Sequence, residues 1–300
     1  MATETKAASL PGRKWDLKTS HIAIAILAFK FVVTGVFVYF LITGYQNGGV
    51  SLDSTFFLFI LIGFVAQIID GALGMAYGVS CTSLLLTFGV PAKLASASVH
   101  TSEIFTTGVS GLSHIRFKNI DKRLFLKIVL TGVLGACLGA YLLSDIFDGG
   151  AVKPYISIYL LGLGIYILTK AFKKRKEEVP KTRFASVLAF FGGLFDAIGG
   201  GGWGPIVTSN LLGQGNNPRY TIGTVNTAEF FVTFFATVVF VFVLGNQHLD
   251  IVLGLIIGGV IAAPFGAYIA SRIKAKILLI LVSALIIVTS SWGIFQAFFS

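Results

Sequence analysis

Apolar runs long enough to cross a lipid bilayer recur from residue 21 almost to the C-terminus, and this narrows the possible folds more than any other feature. The runs 21–43, 249–270 and 275–299 are apolar nearly all round, whereas a helix lying on a soluble core keeps a polar face. With 55% of the 300 residues hydrophobic and only 12% charged, no soluble domain is left over. The expectation is an all-α polytopic membrane protein, crossing a bacterial inner membrane several times. Two acids precede residue 20 and no small-residue cleavage site follows the first run, so 21–43 reads as a retained helix rather than a signal peptide.

A net charge of +10 would suit nucleic acid if the basic residues shared one face. They sit instead in short clusters between the apolar runs: Arg13, Lys14 and Lys18; Arg116, Lys118, Lys122 and Arg123; Lys173 to Lys176; and Arg272, Lys274 and Lys276. Clusters placed this way orient helices and face anionic lipid headgroups, so lipid is an expected partner and nucleic acid is not. Cys81 and Cys137 fall within apolar segments, where a disulfide framework has no use.

The chain also repeats itself. "GFVAQIIDGALGMAYG" (63–78) aligns with "FGGLFDAIGGGGWG" (191–204), which sets Asp70 on Asp196 at an offset of 126 (196 − 70). At the same offset "SVHTSE" (98–103) meets "TVNTAE" (224–229), setting Glu103 on Glu229, and "GAYL" (139–142) meets "GAYI" (266–269) one residue out of phase. Acids and their neighbours recurring in order imply a duplication. The organisation read from this is a tail over 1–20, an extra transmembrane helix over 21–43, repeat 1 over 54–172, a basic linker over 173–183 and repeat 2 over 184–299.

The basic clusters also orient the copies. If 54–88 were one broken crossing, "HIRFKNIDKR" (114–123) would lie opposite the basic N-terminal tail, against the positive-inside rule. If the segment enters from outside, breaks at "DGALGMAYG" and returns, the N-terminus, that loop, the 173–183 linker and "SRIKAK" are all cytoplasmic. The second broken segment, 184–212, then starts from the cytoplasm. The fold expected is two inverted repeats with broken, re-entrant Gly-rich helices plus an extra N-terminal helix, a plan used by secondary transporters.

A break inside the bilayer frees backbone N–H and C=O groups that are tolerable only against protein or a water-filled cavity. The arms resuming at "SCTSLLL" (80–86) and "VTSNLL" (207–212) would present N–H groups and the positive end of a helix dipole, flanked by Thr82, Ser83, Thr208, Ser209 and Asn210. Such a site suits an anion; the competing reading is that the glycines only allow close helix packing. A phosphate-binding Walker loop is excluded, since no Gly-Lys-Ser/Thr follows the glycines.

Asp70, Glu103, Asp196 and Glu229 lie in apolar surroundings, where an ionised acid must be paired, wetted or protonated. Asp70 and Asp196, just ahead of the freed N–H groups, are candidates both for helix caps and for gates or proton carriers. His100 and Glu103 share a helix face, as do Asn226 and Glu229. His100 can take up charge near neutral pH, and with the adjacent Thr101 and with Asn226 and Thr227 it joins the candidate binding set. Tyr77 and Trp203 correspond between the copies and are candidate gates or packing residues. Lys30 and Lys127 read as snorkelling or locally paired.

With its doubled hairpins "DGALGMAYG" and "DAIGGGGWGP", each followed by a polar helix start, "ASASVHTSE" and "YTIGTVNTAE", the chain resembles the sulfite exporter TauE/SafE family of permeases, also called the toluene-sulfonate uptake permease family. The resemblance covers roughly 55–299, and the doubled motif carries it. The first copy departs from the glycine-rich form, with Met75 and Ala76 where the second has Gly201 and Gly202. The resemblance implies a non-enzymatic permease without cofactor that carries sulfite, sulfoacetate or other organosulfonates, outward by the family name, with room for a homodimer. Bound oxyanion would accept hydrogen bonds from the hydroxyls and amides named above. Alternating access of the two repeats, with a linked proton, is the mechanism expected.

Two other classes remain. The four acids could themselves be ligands in a proton- or metal-cation transporter. Two membrane aspartates could also serve an intramembrane aspartyl protease, but such enzymes resemble one another in having glycine before the acid, and here the glycines follow Asp70 and Asp196.

Overall fold

The computed structural model describes residues 19–46, 53–172, 184–245, 249–272 and 274–299. The tail through residue 18 and the 173–183 linker, with their basic clusters, lie outside the described residues. Regular structure among the described residues is entirely helical: α1 (Thr19–Gln46), α2 (Ser54–Leu73), α3 (Tyr77–Thr87), α4 (Ala92–Arg116), α5 (Lys122–Tyr141), α6 (Gly149–Phe172), α7 (Ala185–Gly199), α8 (Ser209–Gly213), α9 (Pro218–Leu244), α10 (Leu249–Arg272) and α11 (Ala275–Phe299). Six of these, α1, α2, α5, α6, α9 and α11, are long and apolar enough to span a membrane. At 25 residues, about 37 Å, α4 is also long enough, but it is too polar by composition. Its Ser96, Ser98, His100, Ser102, Glu103 and Thr107 are buried against protein instead of facing lipid.

Both expected breaks are present and locally alike. α2 ends at Gly74 (φ +69°) and α7 at Gly200 (φ +64°), each in the left-handed region that glycine enters without steric cost, and each donating its N–H to the aspartate carbonyl four residues back. The second arm of repeat 2 resumes at Gly204, three residues before the expected Val207, as a π-helical turn (Gly204–Thr208) leading into α8. Pro205 in its first turn has no N–H to place, and the wider turn carries the Ser209 N–H back to the Gly204 carbonyl.

The packing exchanges under the offset of 126. α2 lies on α10 while its equivalent α7 lies on α5; the equivalent pairs α4/α9 and α6/α11 pack on each other. Gly63 of α2 abuts Leu255 of α10, and Gly258 abuts Ile60; Gly135 of α5 abuts Phe190 of α7, and Gly193 abuts Gly132. At these contacts backbone meets backbone with no room for a Cβ, as small residues permit inside a membrane. The equivalent helices run antiparallel: Gly111 and Gly108 of α4 meet Thr227 and Phe230 of α9, and Ser157 and Gly164 of α6 meet Gly293 and Ile286 of α11. α1, outside this pattern, packs mainly on α4, where the Lys30 stem lies over Gly108.

Asp53 caps α2 by accepting from the backbone N–H of Thr55 at 2.9 Å and of Phe56 at 3.3 Å, and from the Thr55 hydroxyl. The Thr55 hydroxyl above all holds the Asp53 carboxyl below the ordinary aspartate range. Because the folded value is the lower one, this capping contribution is fully present above about pH 3.9 and is lost as pH falls through the lowered value. Thermal unfolding in detergent at about pH 3 to 6 should therefore show a smaller acid-induced loss of stability for Asp53→Ala than for wild type.

Candidate functional site: a polar chamber at the crossing of two broken helices

The two breaks touch at the centre of the molecule. Gly201 sits on the Gly78–Val79 peptide, and Gly204 sits on Met75, so each crossing pairs a residue of one break with a glycine of the other. Met75 and Gly201 are equivalent, as are Gly78 and Gly204. The first copy therefore tolerates Met75 because Gly204 opposite has no side chain.

The aspartates cap the resumed arms. Asp70 Oδ1 accepts from Ala76 N–H at 2.9 Å and Tyr77 N–H at 3.3 Å, and Asp196 Oδ1 accepts from Trp203 N–H at 2.9 Å. The helix-start N–H groups expected to face an anion thus already meet protein carboxylates. The polar residues of the arms also bond inward: Thr82 Oγ1 donates to the Gly200 carbonyl at 2.5 Å, Ser83 to Ser80, Asn210 Nδ2 to Ile206 at 2.6 Å, and Ser209 to the Met75 sulfur. The buried Thr208 hydroxyl has no partner among the described residues.

Around the crossing the two halves differ. In one, His100 Nε2 of α4 lies 3.2 Å from Asp196 Oδ2, and His100, Glu103 and Asp196 are 0%, 4% and 3% exposed. Donor atoms of these three all fall within 4.8 Å of one another. They offer three residues, one short of the four protein ligands of a closed zinc site, and Asp196 Oδ1 is already taken by Trp203 and His100 Nδ1 by Ser96. In the other half the equivalent residues, Asn226, Glu229 and Asp70, line an open cavity of about 340 Å³ together with Gln67, Ser110 and His114. Asn226 Nδ2 reaches Ser110 at 3.2 Å. The equivalents of Gln67, Ser110 and His114 are Gly193, Ala236 and Phe240, all buried. The cavity therefore has a packed counterpart under the repeat symmetry.

Two expected residues lie off the chamber. Thr101 bonds the Ala97 carbonyl and faces an apolar cavity lined by α1, α4, α9 and α10. Thr227 bonds Gly223 and packs against Gly111 of α4. Lys127 lines a polar cleft with Arg123, Asn217 and Tyr220 at the start of α9. Tyr77 and Trp203 are both buried: the Tyr77 hydroxyl lies 3.2 Å from Ser102 Oγ, and Trp203 Nε1 donates to the Val225 carbonyl at 3.3 Å.

Sequence reasoning missed Ser96 and Tyr159. Ser96, one turn before His100, ties α4 to the Ala197 carbonyl at 2.6 Å, and the Tyr159 hydroxyl of α6 holds the Gly201 carbonyl at 3.2 Å. The repeat could not flag either, since Ser96 falls on Ile222 and Tyr159 falls on Leu285 or, at the shifted offset, Ile286. The one-turn spacing to His100 was the available signal for Ser96. Because Tyr159 also fills the space beside Gly199 and Gly202, those glycines are close-approach positions. Tyr159→Phe is expected to keep this packing and loosen only the Gly201 tie, giving about 1–2 kcal/mol of lost stability in thermal unfolding.

Comparison with known proteins adds sequence relationships. A family model described as sulfite exporter TauE/SafE matches residues 59–292. The chain is 44% identical over 243 residues to the probable membrane transporter protein YtnM of Bacillus subtilis (strain 168), covering 78% of this chain and 81% of that protein. It is 21% identical over 280 residues to the probable membrane transporter protein YunE of the same organism, covering 82% of this chain and all of that one. No solved structure matches.

Proposed function

The chain belongs to the sulfite exporter TauE/SafE family, and from this premise we propose that it is a secondary transporter moving small sulfur-containing anions, sulfite or an organosulfonate, by alternating access of two inverted repeats. That it is an integral, multi-pass membrane transporter follows from the family, the relatives and the spanning helices. The observation that carries the mechanism is the chamber's asymmetry: a polar cavity in one half and the equivalent positions, occupied by different residues, packed shut in the other. The antiparallel run of equivalent helices supports inversion, since copies of one orientation would set them parallel.

The cavity reaches His114, near the basic end of α4, where the Arg219 guanidinium donates to Asn119 and to the Phe117 carbonyl. With the basic loops cytoplasmic, the N-terminus is too and the conformation is open inward, its rim attracting anions. An inside-negative potential of 100 mV favours outward movement of one negative charge by about 2.3 kcal/mol, which agrees with export. Glu229 and Asp70 would repel an anion if ionised, so a proton on the chamber is part of the proposal.

Two measurements test it. Proteoliposomes should show protein-dependent sulfite flux and no flux of divalent cations; cation flux alone would replace the anion reading. A Ser110→Cys protein should react with a water-soluble thiol reagent from the cytoplasmic side, and an Ala236→Cys protein, at the equivalent packed position, should be protected. Equal reaction of both would remove the alternating-access reading.

A further inference from the structure

The sealed half of the chamber contains a proton whose position follows from hydrogen-bond bookkeeping alone. His100 Nδ1 has two polar neighbours, the Ser96 carbonyl at 2.9 Å and Ser96 Oγ at 3.4 Å. The carbonyl can only accept. The Ser96 hydroxyl has one hydrogen, which goes to the Ala197 carbonyl at 2.6 Å. Both neighbours therefore present lone pairs, and Nδ1 must carry a hydrogen. Nε2 then faces Asp196 Oδ2 at 3.2 Å. If His100 were neutral and Asp196 ionised, two lone pairs would oppose each other in a site with no exposed surface on the imidazole, a costly arrangement in a low dielectric. One further proton must lie between them.

We propose that His100 and Asp196 form a single-proton latch that closes this half of the chamber, and that the other half is built without one. The inference rests on the transporter reading above. At the equivalent positions Asn226 stands for His100, Ile222 for Ser96 and Thr208 for Thr82. The three ties of the sealed half, His100–Asp196, Ser96–Ala197 and Thr82–Gly200, have no equivalent among the described hydrogen bonds between α9 or the second arm and the Asp70–Gly74 turn. Instead the 340 Å³ cavity lies there. An Asn can donate to a carboxylate with no added proton, so the half carrying Asn226 closes independently of pH, whereas the half carrying His100 needs one proton per closure.

The charges around His100 set the sign. Glu103 lies on its own helix, Asp196 faces it from α7, and Glu229 of α9 and Asp70 of α2 are within electrostatic reach of Glu103. Tyr159 of α6 lies close to Asp196, Phe240 of α9 contributes an uncharged ring 5.7 Å away, and Lys30 of α1 is held against Gly108 farther along α4. With the proton, the His100–Asp196 pair is neutral overall; without it, the Asp196 carboxylate and the bare Nε2 lone pair oppose each other at 3.2 Å and the pair is driven apart. Loss of the proton therefore opens the latch as pH rises, and an approaching anion meets less repulsion when the proton is present.

Asp196→Asn isolates the proton. The new side chain keeps an oxygen for Trp203 N–H and supplies an amide hydrogen to Nε2, so the cap and the latch geometry survive with one titrating group removed. Nitrogen-15 NMR of the full-length protein, histidine-labelled in nanodiscs, identifies His100 by the resonance missing in His100→Asn. Nδ1 is expected to be protonated in wild type, and Asp196→Asn to favour the neutral tautomer with Nε2 accepting from the new amide; a wild-type His100 with its only proton on Nε2 would overturn the proposal. Thiol labelling of Ala236→Cys, normalised to Ser110→Cys, should rise with pH in the wild-type background and stay flat with Asp196→Asn. The same pH dependence in both backgrounds would refute the latch. Neither readout uses sulfite, so a failed flux assay would condemn the transporter reading while leaving these results to judge the proton site.

Discussion

On the transport reading proposed above, Gly201→Val is expected to yield a protein that moves no sulfite. A Cβ at Gly201 would fall on the Val79 nitrogen and the Gly78 carbonyl carbon, and these are backbone atoms of the opposing break that no rotamer change can move aside. The neighbouring contacts leave little slack: Gly78 lies against the Glu103 carboxylate, and Thr82 bonds the Gly200 carbonyl at 2.5 Å. The substitution must push the two arms apart where they cross, or tilt α7 off α5. Rate falls steeply when site groups are misplaced by about an ångström, by a factor on the order of 100, and here an entire arm is displaced. Flux per reconstituted protein, with Gly201→Ala as the milder step, measures the effect. Wild-type flux in the valine protein would mean that the crossing is not part of the transport path.

The second large effect is on stability. Gly258→Leu and Gly135→Leu each place a side chain where α2 meets α10 or α5 meets α7 backbone to backbone, Gly258 against the Ile60 carbonyl and Gly135 against that of Phe190. Lipid supplies no hydrophobic force to hold helices together, so close van der Waals approach is what the pairs depend on. Overpacking of this kind costs about 1–3 kcal/mol and more when only backbone can yield. Because both glycines sit directly on a backbone carbonyl of the facing helix, the two substitutions should behave alike. Gly162→Leu, with nothing within 4 Å of its Cβ position, is the control for added bulk on a helix. If thermal inactivation in detergent ranks Gly258→Leu with that control, the glycine pairs do not hold the repeats together.

Much of the site was legible as chemistry and little of it as geometry. The spacing of His100 to Glu103 and of Asn226 to Glu229 correctly placed each pair on one face, because three residues on a helix nearly complete a turn. The same sequence suggested open N–H groups at the resumed arms, whereas Asp70 and Asp196 fold back across their own breaks to cap them. Cap and gate were both compatible with an acid four residues before the left-handed glycine, and the path of the next six residues decides which N–H groups it meets. Thr101 and Thr227 shared the composition of the site but face the neighbouring helices α1 and α4 instead.

By itself the sequence determined the membrane class and the two breaks, and its spacing pointed to a duplication at an offset of 126. Apolar run length, repeated spacing and glycine's freedom at positive φ are local properties that any neighbour leaves intact. Only the tertiary structure decided that His100 meets the aspartate of the other copy while Asn226 opens onto a cavity. Those pairings join residues about a hundred positions apart and depend on which ridges of antiparallel helices interlock. On the reading proposed above, two packings of one repeated unit would let one half close while the other stands open.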